Sequence, residues 1–234
     1  MISKATDKNL LFGDLIRAND SDFSSKITKL ILIRHGQSLG NAENVYLGHT
    51  DLDLSPLGYQ QAELAARAIK SEPVSAIYSS SLIRAHNTAL PHARLHGLSV
   101  IDSDELREIY LGEWEMCKLS DLETVWYDEF VLGWRKNFGT YCPPGGESVP
   151  HLALRIHKEL IRIAEENTGG YVVIASHAAA IRSVWGRVAK IDPEKLADAV
   201  PFPTNASLTT MYYDGKELHP IRYSIRPEEL ISDE

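Results

Sequence analysis

Two apolar runs, each closed by a histidine, constrain the fold of this chain more than any other feature. Leu30-Ile31-Leu32-Ile33 leads into Arg34-His35-Gly36, and Tyr171-Val172-Val173-Ile174-Ala175 leads into Ser176-His177. An apolar run without polar alternation is what a strand buried on both faces of a parallel sheet requires. Between and around these runs the period changes. Ser55-Pro56 opens a helix to Lys70 with a capping serine and a proline at its first position. Residues 74–79 and 98–101 read as strands, and 82–95, 120–138, 147–166 and 178–189 as helices. The helix over 147–166 carries Leu152, Ile156, Leu160 and Ile163 on one stripe. Asp214-Gly215 joins two further strands, 207–213 and 217–223, in a hairpin. Strands alternating with helices predict a three-layer α/β/α domain with a mainly parallel central sheet. Residues 1–25 read as an N-terminal extension, partly packed through Leu11, Leu15 and Ile16 and linked by Asp20-Ser21-Asp22. Residues 26–234 read as a single catalytic domain.

His35 and His177 fall at equivalent strand ends, where such sheets collect ligands. Arg34 adjoins the first, and Arg84 opens the helix after the strand ending at Ser79. Two guanidiniums beside two imidazoles suit a phosphate, because each guanidinium offers paired donors. Gly36, Ser176, Ala178 and Ala179 are small, so backbone N–H groups are expected to approach an anion there. His92 and His96 lie one helical turn apart near His86. No carboxylate accompanies them in a ligand spacing, so they are expected at the surface and no metal is expected.

The ordered motifs resemble the histidine phosphatase superfamily, in its phosphoglycerate mutase-like branch. Arg34-His35-Gly36-Gln37-Ser38 with Asn41 is similar to its R-H-G-[EQ]-[TS]-x-x-N signature. Gly48, Asp51, Leu54-Ser55, Gly58 and Gln61-Ala62 form a second matching stretch, and Ser81, Arg84-Ala85 and Thr88-Ala89 lie within a third. Leu106, Glu108, Gly112, Trp114-Glu115, Gly146-Glu147-Ser148 and Ser176-His177 complete the set. The resemblance implies that His35 is the nucleophile, Glu108 the proton donor and acceptor, and His177 a stabiliser of the transition state. It implies that Arg34, Asn41, Arg84 and His177 bind the phosphoryl oxygens, with no cofactor and no metal. Residues 117–144 are expected to form a small helical cap over the substrate. This sequence departs from the family pattern at Ala178-Ala179 and at Met116, where glycines are usual; Met116 is expected at the pocket rim.

Glu108 and His177 stand 69 positions apart, which resembles the shorter phosphatase members rather than mutases with a long cover. The expected activity is a phosphomonoesterase on a small phosphorylated metabolite. A cofactor-dependent phosphoglycerate mutase is the alternative, and a non-catalytic binding member of the fold is the other. With 24 Lys+Arg against 32 Asp+Glu, net charge −8, the body disfavours nucleic acid and anionic membranes as partners. The expected partner is a small phosphorylated substrate, and a homodimer is left open. Two cysteines give no disulfide framework, and Met1 to Phe12 lacks the apolar core of a signal peptide. A cytoplasmic location is expected.

Overall fold

Alternation within the apolar runs decides the layers. The computed structural model describes residues 11–12 and 27–231. In β1 (Thr28–Arg34), Leu30 and Leu32 enter one core while Ile31 and Ile33 enter the other. In β4 (Tyr171–Ser176), Val172 and Ile174 join the first core, Val173 and Ala175 the second. Successive strand side chains point to opposite faces, so both strands are buried on both sides. Each fully buried Leu or Ile there contributes roughly 1.5–3 kcal/mol of hydrophobic stabilisation.

With β2 (Ala76–Ser80), β3 (Val100–Ser103), β5 (Leu208–Tyr213) and β6 (Leu218–Ile225), these strands make a six-stranded sheet ordered β3-β2-β4-β1-β5-β6. The first four strands run parallel, while β5 pairs antiparallel with β1 and β6. The sheet is therefore mixed, with the expected hairpin at Asp214-Gly215 as its antiparallel edge.

Helices cover both faces. After a short α1 (Leu39–Ala42), α2 (Pro56–Ala68) and α3 (Ile83–His96) bring Ala65, Ala85, Ala89 and Ala93 to the second core. Beyond α4 (Leu119–Thr124), α5 (Val149–Glu166) and α6 (Ala178–Val188) cover the first core with Leu152, Ile156, Leu160, Ile181 and Val184. No helix among the described residues is long and apolar enough to cross a membrane. Of the N-terminal extension, Leu11 and Phe12 are described. Both are buried, Phe12 sits edge-on to Tyr171, and the Thr210 hydroxyl donates to the Leu11 carbonyl. Leu15, Ile16 and the segment Asp20-Ser21-Asp22 lie outside the described residues.

The helix expected over 120–138 is broken into α4, a π-helical stretch Asp128–Arg135 and a turn Phe138–Thr140. Trp126, Phe130 and Trp134 recur every four residues, longer than the α-helical repeat, and a widened helix keeps them on one side. They gather edge-on around Trp114. Most aromatics of residues 117–144 thus serve the core.

Met116 is not at the pocket rim. It is half exposed and stands at φ +64° between Trp114-Glu115 and Cys117, where its N–H donates to the Tyr46 carbonyl. The position calls for glycine because a side chain is strained in left-handed backbone. Met116→Gly should raise stability by about 0.5–1 kcal/mol, strain relief exceeding the added freedom of the unfolded chain. A lowered denaturation midpoint for Met116→Gly would show that the methionine side chain matters more than the strain.

Candidate active site

Strand register brings the two histidines together. Arg34 pairs with Ser176 across β1 and β4, so His35 and His177 leave adjacent strands at the same level. Their rings lie 5.2 Å apart. Ser79 pairs with Ala175 on the other side of β4, which places Ser80 beside His177. Both imidazoles are buried.

The loop after β1 is held by close backbone approach. A Cβ on Gly36 would stand 2.3 Å from the Gly58 carbonyl oxygen, and one on Gly58 2.0 Å from that of Gln37. The Gly36 N–H donates to the Thr88 hydroxyl, the Gln37 N–H to Gln61, and Ser55 caps α2 at Gly58. The second motif stretch therefore fixes the histidine loop. Gly36 supplies closeness to α2 rather than an anion-binding N–H.

His35 Nδ1 lies 2.6 Å from the Gly36 carbonyl oxygen. A carbonyl only accepts, so Nδ1 carries the proton and Nε2 keeps its lone pair. Burial, with Arg84 and Arg34 adding to it, holds this imidazole well below its ordinary range, so it is neutral near pH 7. His177 is depressed likewise, first by burial and then by Arg84. Its Nε2 lies 2.7 Å from the Ser80 hydroxyl, which itself accepts from the Leu82 N–H. His177 Nδ1 has no partner among the described residues.

Arg84 is almost fully buried and donates to the carbonyls of Gly48 and Thr50, at 2.7 and 2.8 Å. Arg34 donates to the Pro203 carbonyl, and its Nε has no partner among the described residues. Burial lowers both guanidiniums, and Glu108 opposes that. The Asn41 side-chain oxygen accepts from the Ser38 N–H and from Asn205 Nδ2, which leaves its NH2 to offer.

Glu108 is no solvated loop carboxylate. It is buried at the start of α6, with Oε1 accepting from Ile109 and Ala180 N–H and Oε2 from Ala179 N–H. The helix N-terminus attracts an anion as expected, but the anion is this carboxylate. Three of roughly four acceptor positions are used, and the remaining one, on Oε2, can exchange a proton. Ala178 and Ala179 adopt no positive φ, so their departure from glycine leaves the chain path unstrained.

Arg34, His35, Asn41, Arg84 and Glu108 line one cavity of about 240 Å³. All the expected site residues but His177 are in its wall, and the His177 ring adjoins that of His35, tilted from it by 60°. Three contributors were not anticipated from sequence. Asn205 donates to the His35 carbonyl, Ser80 holds His177, and Glu115 grips the loop that receives Arg84. Glu115 accepts from the N–H groups of Gly48, His49, Thr50 and Leu111 and from the Thr50 hydroxyl. Burial pushes its carboxyl up, but these bonds together bring it below the usual range.

The surface expectation for the α3 histidines fails at His92. It is fully buried, with neither ring nitrogen partnered among the described residues, and burial brings it down to about 3. Its spacing of four from Thr88 and eight from Arg84 puts it on the inward stripe. His86 is half-buried against Asp102. Among the described residues, no three His, Cys, Asp or Glu side chains are grouped as a metal site needs.

A family model described as the histidine phosphatase superfamily (branch 1) matches residues 30–225. The chain is 28% identical over 204 residues to a 2,3-bisphosphoglycerate-dependent phosphoglycerate mutase of Cytophaga hutchinsonii, covering 85% of this chain and 94% of that protein. It is 31% identical over 169 residues to phosphoserine phosphatase 1 of Hydrogenobacter thermophilus, 72% of this chain and 80% of the relative. A solved structure, that of a mycobacterial glucosyl-3-phosphoglycerate phosphatase, matches with a TM-score of 0.77 and 26% identity over 85% of this chain and 99% of its own.

Proposed function

The chain belongs to the histidine phosphatase superfamily, and from that premise we propose a phosphomonoesterase that works through a phosphohistidine on His35. One observation carries this reading: the Gly36 carbonyl fixes the His35 proton on Nδ1, leaving Nε2 as a bare nucleophile in a cavity with two arginines. Nε2 attacks phosphorus and the ester P–O bond breaks. Arg34, Arg84, the Asn41 amide and the His177 ring stabilise the charge on the phosphoryl oxygens. Glu108, protonated at the free position on Oε2 in the substrate complex, gives that proton to the departing oxygen, and the carboxylate so formed takes one from the water that attacks the phosphohistidine. Inorganic phosphate leaves and His35 is regenerated.

Hydrolysis is favoured over phosphoryl return by the short stretch between Glu108 and His177, much of it spent on the aromatic cluster around Trp114. A retained intermediate needs a site closed to water. The test is turnover of 3-phosphoglycerate with and without 2,3-bisphosphoglycerate, beside hydrolysis of p-nitrophenyl phosphate. Phosphate release should exceed isomerisation in both conditions. Isomerisation faster than any hydrolysis would assign the chain to the mutases.

A further inference from the structure

Resting on that reading, we propose that the leaving group is a neutral, apolar alcohol, so that the enzyme selects aryl, benzyl or alkyl phosphates over esters bearing a carboxylate. The cavity wall divides by chemistry. Its cations among the described residues are Arg34 and Arg84, and its one acidic side chain is Glu108, so the wall holds no positive charge beyond what one phosphate dianion takes up. The rest of the wall combines an apolar part, Val45, Leu47, Leu119, Trp134 and Phe202, with the neutral polar groups of Ser38, Asn41, Asn44 and Tyr46, none of which carries a positive charge. An aromatic or aliphatic group gains from burial against these surfaces. A second anion on the substrate would enter without a counter-charge, which a low-dielectric site penalises heavily.

Other arginines nearby in sequence or space are committed elsewhere. Arg107 and Arg155 line a different cavity and are paired with Asp104 and Glu147. Arg182 lies behind the wall, its guanidinium 4.2 Å from the Phe202 ring centroid and 4.3 Å from that of Phe138. Its N–H groups go to the carbonyls of Val200, Leu196 and Ala197. A charge that could have met a carboxylate instead fixes the aromatic wall, because Phe202 also stacks on Trp134 at 26°. Lys118, beside Leu119, is exposed and not part of the wall.

The experiment compares benzyl phosphate with 4-carboxybenzyl phosphate. The carboxylate is insulated from the breaking bond, so the leaving groups are matched chemically. For the full chain, kcat/KM for benzyl phosphate should exceed that for 4-carboxybenzyl phosphate by about tenfold or more. Val45→Arg adds a cation to the apolar wall at a half-buried side chain whose backbone N–H is bonded to Gly40. That variant should narrow the ratio by about tenfold, with its melting temperature confirming folding. Equal or better use of 4-carboxybenzyl phosphate by the wild type, with p-nitrophenyl phosphate still hydrolysed, would overturn the selectivity and leave the phosphatase reading standing. Failure to release phosphate from any of the three esters would overturn both.

Discussion

His35→Ala should lower phosphate-ester turnover by at least about three orders of magnitude, with the protein still folded. Nothing else in the cavity can replace the nucleophile. His177 is fully buried, its Nε2 engaged by Ser80. The structural cost of the change is small. The His35 side chain makes one hydrogen bond, to the neighbouring carbonyl, while the loop is held by Gly36–Thr88, Gln37–Gln61 and Asn205. Burial near two arginines also penalises the imidazolium, so removing the ring removes a group the fold does not need. Phosphate release from p-nitrophenyl phosphate, beside a thermal melt, measures both effects. Activity within tenfold of wild type would place the nucleophile elsewhere.

Glu108→Gln carries the second large effect, and it acts on two quantities at once. Glutamine keeps the shape but replaces one acceptor oxygen with a donor NH2. Glu108 now accepts backbone N–H groups on both oxygens. In either orientation of the amide, at least one buried N–H faces another donor, at a cost of about 1–3 kcal/mol in stability. Catalysis should fall by roughly 10²- to 10⁴-fold for benzyl phosphate, whose alkoxide must be protonated as it leaves. For p-nitrophenyl phosphate the loss in phosphohistidine formation should be smaller, because nitrophenolate leaves without a proton. Pre-steady-state rates for the two esters separate the cases. Equal losses would show that Glu108 positions the helix terminus without transferring a proton.

Of the candidate site, His35, His177, Arg34 and Arg84 were legible because their positions follow from local pattern, whereas Glu108 and Asn41 entered only through the family resemblance. Unbroken apolar runs mark buried parallel strands, and residues just beyond such strands converge. The Arg34–Ser176 register is the realised form of that rule. Residues that hold the chemistry in place were hidden because their roles depend on contacts between distant segments. Asn205 meets His35 after the chain has passed through all the parallel strands, and Glu115 binds a loop 65 to 67 positions earlier. The neutrality of His35 was hidden for the same reason. The arginines contribute, but burial leads, and burial depends on packing that sequence spacing does not show. His92 illustrates the converse. The lack of an accompanying carboxylate in a ligand spacing led to the surface expectation, while its four-residue spacing from Thr88 already placed it on the inward face of α3.

Rapid acid-free quenching of the enzyme with ³²P-labelled substrate, followed by peptide mapping, tests the central claim most directly. A label stable to alkali and lost in acid should form on the peptide containing His35 at least as fast as turnover, and His35→Ala should carry none. A label on any other residue, or turnover without a labelled enzyme, would contradict a phosphohistidine at this position.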